Sequence, residues 1–262
     1  MQHGLSIRFM WPELTMPERA RKAASFGFEA IEIWDWRTED MDALQAACQD
    51  SGIRINGFFG HSSGGMRDPS LHSEVLDNLA ESIEMAEHVG ARQLHMFSDG
   101  IRRPAGEILK PPPITRIEQY MACIDGVRKA AKLVEGKPIM LMLEAINTVH
   151  VPGYFWNESG ITVEMASAVN HPQVRLSFDC FHQQLVAGRL TDNLIAALPW
   201  AGRIDVANVP GRTKPSVGEI NYPHIIGVLE EHGWDGPICY ETTPIDGDSD
   251  GCAADIVDVF KV

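Results

Sequence analysis

Eight short apolar runs, each followed by a helical pattern, constrain this chain more than any other feature. They are LSIRF (5–9), AIEIW (30–34), IRINGFF (53–59), RQLHMFS (92–98), PIMLMLE (138–144), VRLSFD (174–179), RIDVAN (203–208) and PICYE (237–241). After the first, Pro17 fits an opening helical turn and Gly27 a stop; after the second, Thr38 is a candidate cap and Gly52 the stop. Helical patterns also follow the later runs, as in TRIEQYMACIDGVRKAAKLVEG after a long loop containing PPP. Eight strands alternating with helices over 262 residues fit a (β/α)8 TIM barrel, read as one domain spanning 1–262. An open dinucleotide-binding sheet would carry a glycine-rich loop after its first strand. RFMWPELT has no glycine, which removes the main support for that reading.

Aspartate in the middle of RIDVANVPGR raises the first chemical question. A buried carboxylate there costs several kcal/mol unless it finds a partner. Barrels of this kind build their sites at the C-terminal ends of the strands. Glu144 ends the fifth run, Asp179 the sixth and Glu241 the eighth, with Asp205 inside the seventh. Four converging acids would repel one another, and some would be forced to protonate. A divalent cation relieves this, and oxygen ligands suit a hard ion such as Mn²⁺ or Mg²⁺. A single acid of this kind can equally cap a helix or pair with arginine; Arg203 or Arg212 could neutralise Asp205 without a metal.

Charge narrows the choice of partner. With 22 basic and 36 acidic residues the net charge is −14, which opposes nucleic-acid binding. The densest basic clusters, RRP (102–104) and RKAAK (128–132), are short. Five scattered cysteines without CxxC spacing argue for reduced thiols. No segment has the length and apolarity of a membrane span or a leader, so a soluble cytoplasmic protein is expected.

Longer motifs carry a resemblance. LEAINTVHVPGYF (143–155), FDCFHQQLVAG (178–188) and VPGRTKPSVGEINY (209–222), with FMWPELTMPERARKAASFGFEAIEIW (9–34) and HGWDGPICYETTP (232–244), resemble hydroxypyruvate isomerases, among the xylose-isomerase-like barrels that include ketose 3-epimerases. The resemblance implies Glu144, Asp179, Asp205 and Glu241 as metal ligands, with Glu144 and Glu241 also the acid/base pair. It implies that His182 bonds a substrate oxygen, that Arg212 faces the substrate's anionic end, and that the chain forms a homo-oligomer. Moving a carbonyl between adjacent carbons needs a proton taken from one carbon and returned to the next, which two carboxylates and a metal can do. Asp205 stands where hydroxypyruvate isomerases carry glutamine and the 3-epimerases histidine, so it adds a negative charge. EAIN, Lys214 and Thr242 also depart from the pattern.

The resulting expectation is a metal-dependent isomerase of a small hydroxy-carbonyl acid, hydroxypyruvate being the named substrate. Its rivals are a ketose 3-epimerase or keto-acid lyase on the same site, and a non-catalytic sugar-binding barrel. His61, in the third βα loop, is a further candidate for substrate binding, and His95 could face the site from the fourth strand. For both, a packed structural histidine is the competing reading. Trp11, Trp34 and Trp36 could wall the substrate or pack the core, Glu219 orders its loop, Cys180 packs, and the tail GCAADIVDVF covers the barrel or a neighbouring subunit.

Overall fold

A computed structural model describes residues 1–102 and 106–262. Positions 103 and 104 of the basic cluster lie outside the described residues. The barrel strands are β1 (Gln2–Ser6), β2 (Ala30–Glu32), β3 (Arg54–Phe59), β4 (Gln93–Met96), β7 (Met140–Glu144), β8 (Val174–Asp179), β9 (Ala201–Val206) and β10 (Pro237–Tyr240). Strands β5 (Ile101–Arg102) and β6 (Glu107–Ile108) form a small antiparallel hairpin after β4. The barrel closes in the order β1-β10-β9-β8-β7-β4-β3-β2, and every neighbouring pair is parallel. This is the expected (β/α)8 architecture.

Helices α1 (Met16–Ser25), α2 (Met41–Ser51), α3 (His72–Val89), α4 (Arg116–Val134), α5 (Ser159–Val169), α6 (Cys180–Val186), α7 (Leu190–Ala197), α8 (Tyr222–Glu231) and α9 (Ser249–Phe260) complete the repeats. Helix α1 has proline in its first turn, and Gly27 and Gly52 adopt positive φ after α1 and α2, as read from the sequence. Two boundaries differ. Strand β1 starts at Gln2 and ends at Ser6, because backbone pairing with β10 begins at Gln2 opposite Pro237 and side-chain apolarity does not set it. Asp40, not Thr38, caps α2, accepting from the Ala43 N–H at 3.0 Å; a short 3-10 turn over Trp36–Thr38 intervenes.

Side chains alternate across each strand. Leu5, Ile31, Leu94, Leu141, Leu176, Ile204 and Ile238 are buried in the apolar core. Polar residues meet inside the ring: Glu32, Gln93, His95, Ser177, Arg203 and Asp205, with Met142 beside them. The tail forms α9, whose Cys252, Ala253, Ile256 and Phe260 are buried, with Phe260 edge-on to Tyr240 of β10. It therefore covers its own barrel. Among the described residues, no helix is long and apolar enough to cross a membrane.

Candidate active site

Above the C-terminal ends of the strands lies a cavity of about 470 Å³. Glu144, His182, Arg212 and Glu241 all line it. Glu144 closes β7, Asp179 closes β8, and Glu241 follows β10 directly. These acids end apolar runs, so the strands that bury the core also carry them to the mouth.

Local geometry explains the DCFH spacing. Asp179 is the N-cap of α6, its Oδ1 accepting from the backbone N–H of His182 at 3.0 Å. The His182 ring is thereby set in the first turn, with Nε2 3.5 Å from Asp179 and 3.9 Å from Glu144. Its tautomer is fixed by Asn147. The His150 N–H donates to Asn147 Oδ1 at 2.8 Å, which identifies the other amide atom as nitrogen. That nitrogen, at 2.6 Å, and the Asn147 backbone N–H, at 3.3 Å, both donate to His182 Nδ1. Nδ1 is thus an acceptor, and the ring proton sits on Nε2, facing the carboxylates. Burial, with Arg212 nearby, pulls the His182 pKa down to about 3, so the ring is a neutral donor.

The glutamates sit in different surroundings. Burial alone would raise the Glu144 carboxyl, but the hydrogen bond from His95 Nδ1 at 3.0 Å and the positive charge of its neighbours bring it to about 2. Glu241 is raised, by burial first and then by Glu144 and Asp205, against the pull of Arg212. Its Oε1 accepts from Trp34 Nε1 at 2.9 Å and its Oε2 meets Arg212 at 2.8 Å. Asp179 is pushed well above the usual carboxylate range by burial and by the charges of Asp205, Glu144 and Glu241, although Arg212 lies 3.5 Å away. Two carboxyls whose proton affinities differ in this way suit an acid/base pair.

One group among the described residues could hold a metal ion: Glu144, Asp179 and His182, each offering an atom within 4.8 Å of the others. The donor set fits a cation, since three buried carboxylates at the mouth face one arginine. With its proton on Nε2, His182 presents an N–H toward the carboxylates in this arrangement.

Asp205 lies beside Arg203, one of the partners the sequence left open. Its carboxylate pairs with Arg203, Nε to Oδ1 at 2.8 Å, and accepts from Ser177 Oγ. Arg203 also pairs with Glu32, which lies 3.3 Å from His95 Nε2. His61 is placed apart from the acids: its Nε2 accepts from the Phe97 N–H at 3.0 Å, and its Nδ1 meets the Ser63 carbonyl at 3.1 Å. These contacts anchor the third βα loop to the end of β4. Arg212 lines the cavity, but its guanidinium is engaged with Glu241 and Asp179. Of the three tryptophans only Trp34 lines the cavity; Trp11 donates to Asp250 and Trp36 to Ser82. Burial raises the Cys180 thiol well above its ordinary value, which makes it unreactive.

Sequence reasoning overlooked Glu32, His150, Phe181 and Arg8, all of which line the cavity. Glu32 carried a readable signal, an acid inside the apolar run AIEIW like Asp205 inside RIDVAN.

The sequence pattern described as a xylose isomerase-like TIM barrel matches residues 20–257. The chain is 33% identical to the 2-oxo-tetronate isomerase of Pectobacterium atrosepticum over 249 residues, covering 94% of this chain and 93% of that protein. It is 23% identical to the hydroxypyruvate isomerase of Escherichia coli over 251 residues, covering 93% and 94%. Among solved structures, one from Brucella melitensis titled as a family 2 AP endonuclease matches with a TM-score of 0.87 at 26% identity, covering 97% of each chain. The barrel, the acids at its mouth and these similarities converge: the chain belongs to the xylose isomerase-like TIM barrel family.

Proposed function

We propose that this chain is an isomerase that moves a carbonyl between adjacent carbons of a small hydroxy-keto acid, converting hydroxypyruvate to tartronate semialdehyde (2-hydroxy-3-oxopropanoate) or acting on a four-carbon analogue. The observation that carries the reading is the pair of buried glutamates, Glu144 and Glu241, in one cavity with differently tuned proton affinities. The names of the relatives support the reaction class.

In this reading one glutamate takes the proton from the hydroxyl-bearing carbon beside the carbonyl and the other returns a proton to the former carbonyl carbon, while the hydroxyl proton passes to the former carbonyl oxygen. His182, held with Nε2–H toward the acids, donates to the substrate oxygen on which charge develops. Trp34 and Arg212 hold Glu241 in place. The apolar rings of Trp34, Phe59, Phe97 and Phe181 line the cavity and limit water around the reacting carbons. Glu144, Asp179 and Glu241 would hold Mn²⁺ or Mg²⁺. Such a cation supplies polarisation of the carbonyl and offsets charge as the C–H proton leaves. A cytoplasmic location and a homo-oligomer belong to the same reading and rest on the family resemblance.

Cleavage of a nucleic-acid backbone is disfavoured by the charge of −14. The test is proton NMR in D₂O of metal-stripped protein with hydroxypyruvate, before and after adding Mg²⁺ or Mn²⁺, with Mn²⁺ removed before each spectrum. Metal-dependent deuterium entry at C3 with formation of tartronate semialdehyde is expected. Metal binding without exchange would discard hydroxypyruvate, and absence of metal binding would overturn the mechanism.

A further inference from the structure

We propose that Arg8 anchors the carboxylate of the substrate, an inference that rests on the hydroxy-acid reading above and assigns the end of the cavity that recognises charge. Strand β1 ends at Ser6, so Arg8 lies in the loop beyond it and lines the cavity with Phe9 and Trp34. Among the described residues, two arginines line that cavity. Arg212 is held by Glu241 Oε2 at 2.8 Å, by the Glu241 carbonyl at 3.1 Å and by Asp179 at 3.5 Å, and so serves as a counter-charge within the acidic cluster. Arg8 makes no ion pair among the described residues; its guanidinium carbon lies 5.5 Å from the centre of the Trp34 ring.

The loop that carries Arg8 is fixed. Buried Arg19 donates from Nη1 to the carbonyls of Ile7 and Arg8, both at 3.1 Å. Trp34 is fixed from the other side by its bond to Glu241. A planar guanidinium set 5.5 Å from an indole centre, and outside any ion pair among the described residues, can meet a carboxylate in a bidentate way. Electrostatics gives the orientation. The acids Glu144, Asp179 and Glu241 repel a substrate carboxylate from the inner wall, whereas Arg8 attracts it to the β1 side of the rim. The hydroxy-carbonyl end is then left facing the glutamates.

The experiment compares wild type, Arg8→Gln and Arg8→Lys as metal-loaded enzymes. Hydroxypyruvate is the anionic substrate and dihydroxyacetone its neutral counterpart of equal length. Calorimetric titration with glycerate, an unreactive hydroxy acid, supplies a readout independent of turnover. For an exposed charged pair the expected loss is about tenfold. In Arg8→Gln the KM for hydroxypyruvate rises and glycerate binding weakens by that factor, the preference for hydroxypyruvate over dihydroxyacetone falls, and Arg8→Lys restores part of it. Equal glycerate affinity in wild type and Arg8→Gln would overturn the anchor, as would equal losses of kcat on both substrates. If wild type turns over neither substrate, the isomerase reading fails, while the glycerate titration still decides the role of Arg8.

Discussion

Two buried ionic clusters lie one above the other in this barrel, and they are balanced differently. Inside the ring, Glu32 and Asp205 face Arg203 and His95. Burial opposes a proton on His95, but its bond to Glu144 and the surrounding acids raise its affinity above the ordinary value. Arg203 lies between the two acids, and His95 bridges from Glu32 to Glu144 above. At the mouth, Glu144, Asp179 and Glu241 share Arg212. Arg203 sits against both acids of the lower cluster, whereas three carboxylates at the mouth share one arginine, a deficit that a divalent ion and a reacting substrate would fill.

The sharpest way to break this division is at the glutamates. Glu144→Gln or Glu241→Gln is expected to lower turnover of hydroxypyruvate by at least about 10²-fold with the fold retained, checked by steady-state kinetics beside circular dichroism. Retention of most of the activity in either variant would remove that residue from the acid/base pair. Next comes Arg203→Met, which strands Glu32 and Asp205 in the interior. Its expected destabilisation is about 3–5 kcal/mol by urea unfolding, and a loss below about 1 kcal/mol would mean that the lower cluster is not held by this arginine.

A matched pair of isosteric changes compares the clusters directly. Asp205→Asn removes charge from the lower cluster and is expected to cost about 1–3 kcal/mol in metal-free protein. Asp179→Asn removes a repelled charge and keeps an oxygen to cap α6, so metal-free stability is expected to hold while the thermal protection given by Mn²⁺ disappears. Equal behaviour of the two variants would erase the distinction. The smallest expected effect belongs to Asn147→Ala, which frees the His182 tautomer: kcat falls about tenfold, and nitrogen NMR shows the ring proton no longer confined to Nε2. An unchanged tautomer would assign the lock elsewhere.

Much of this was legible in the sequence. The strand–helix alternation gives the barrel, and an acid that ends an apolar run marks Glu144, Asp179 and Glu241, because burial of the run fixes where its last side chain must emerge. The partner of Asp205 was harder to read. Arg203 lies two positions earlier on the same face, close enough to pair, yet strand periodicity alone leaves a metal equally reasonable. His61 and His95 sit in similar local sequence; they part because His95 points into the ring from β4, while His61 lies beyond β3 and closes onto backbone. Arg8 was hidden for another reason. The apolar pattern through Phe9 reads as strand, whereas pairing with β10 stops at Leu5 and with β2 at Ser6, which turns Arg8 into rim.

The loop from Asn208 to Tyr222 carries Arg212 and is organised around one side chain. Asn208 donates to the carbonyls of Pro215 and Ile220 at 2.8 and 3.1 Å and accepts from the N–H groups of Val209 and Ile220 at 2.9 and 2.8 Å. Every one of those bonds goes to backbone, so this part of the loop's path does not depend on what exposed positions such as Val217 and Glu219 display, while Ser216 is tied separately to Asp255 of α9. The outer rim of this barrel can therefore be rewritten by mutation while the arginine beneath keeps its station, which gives the scaffold a way to change the molecules it admits without rebuilding its chemistry.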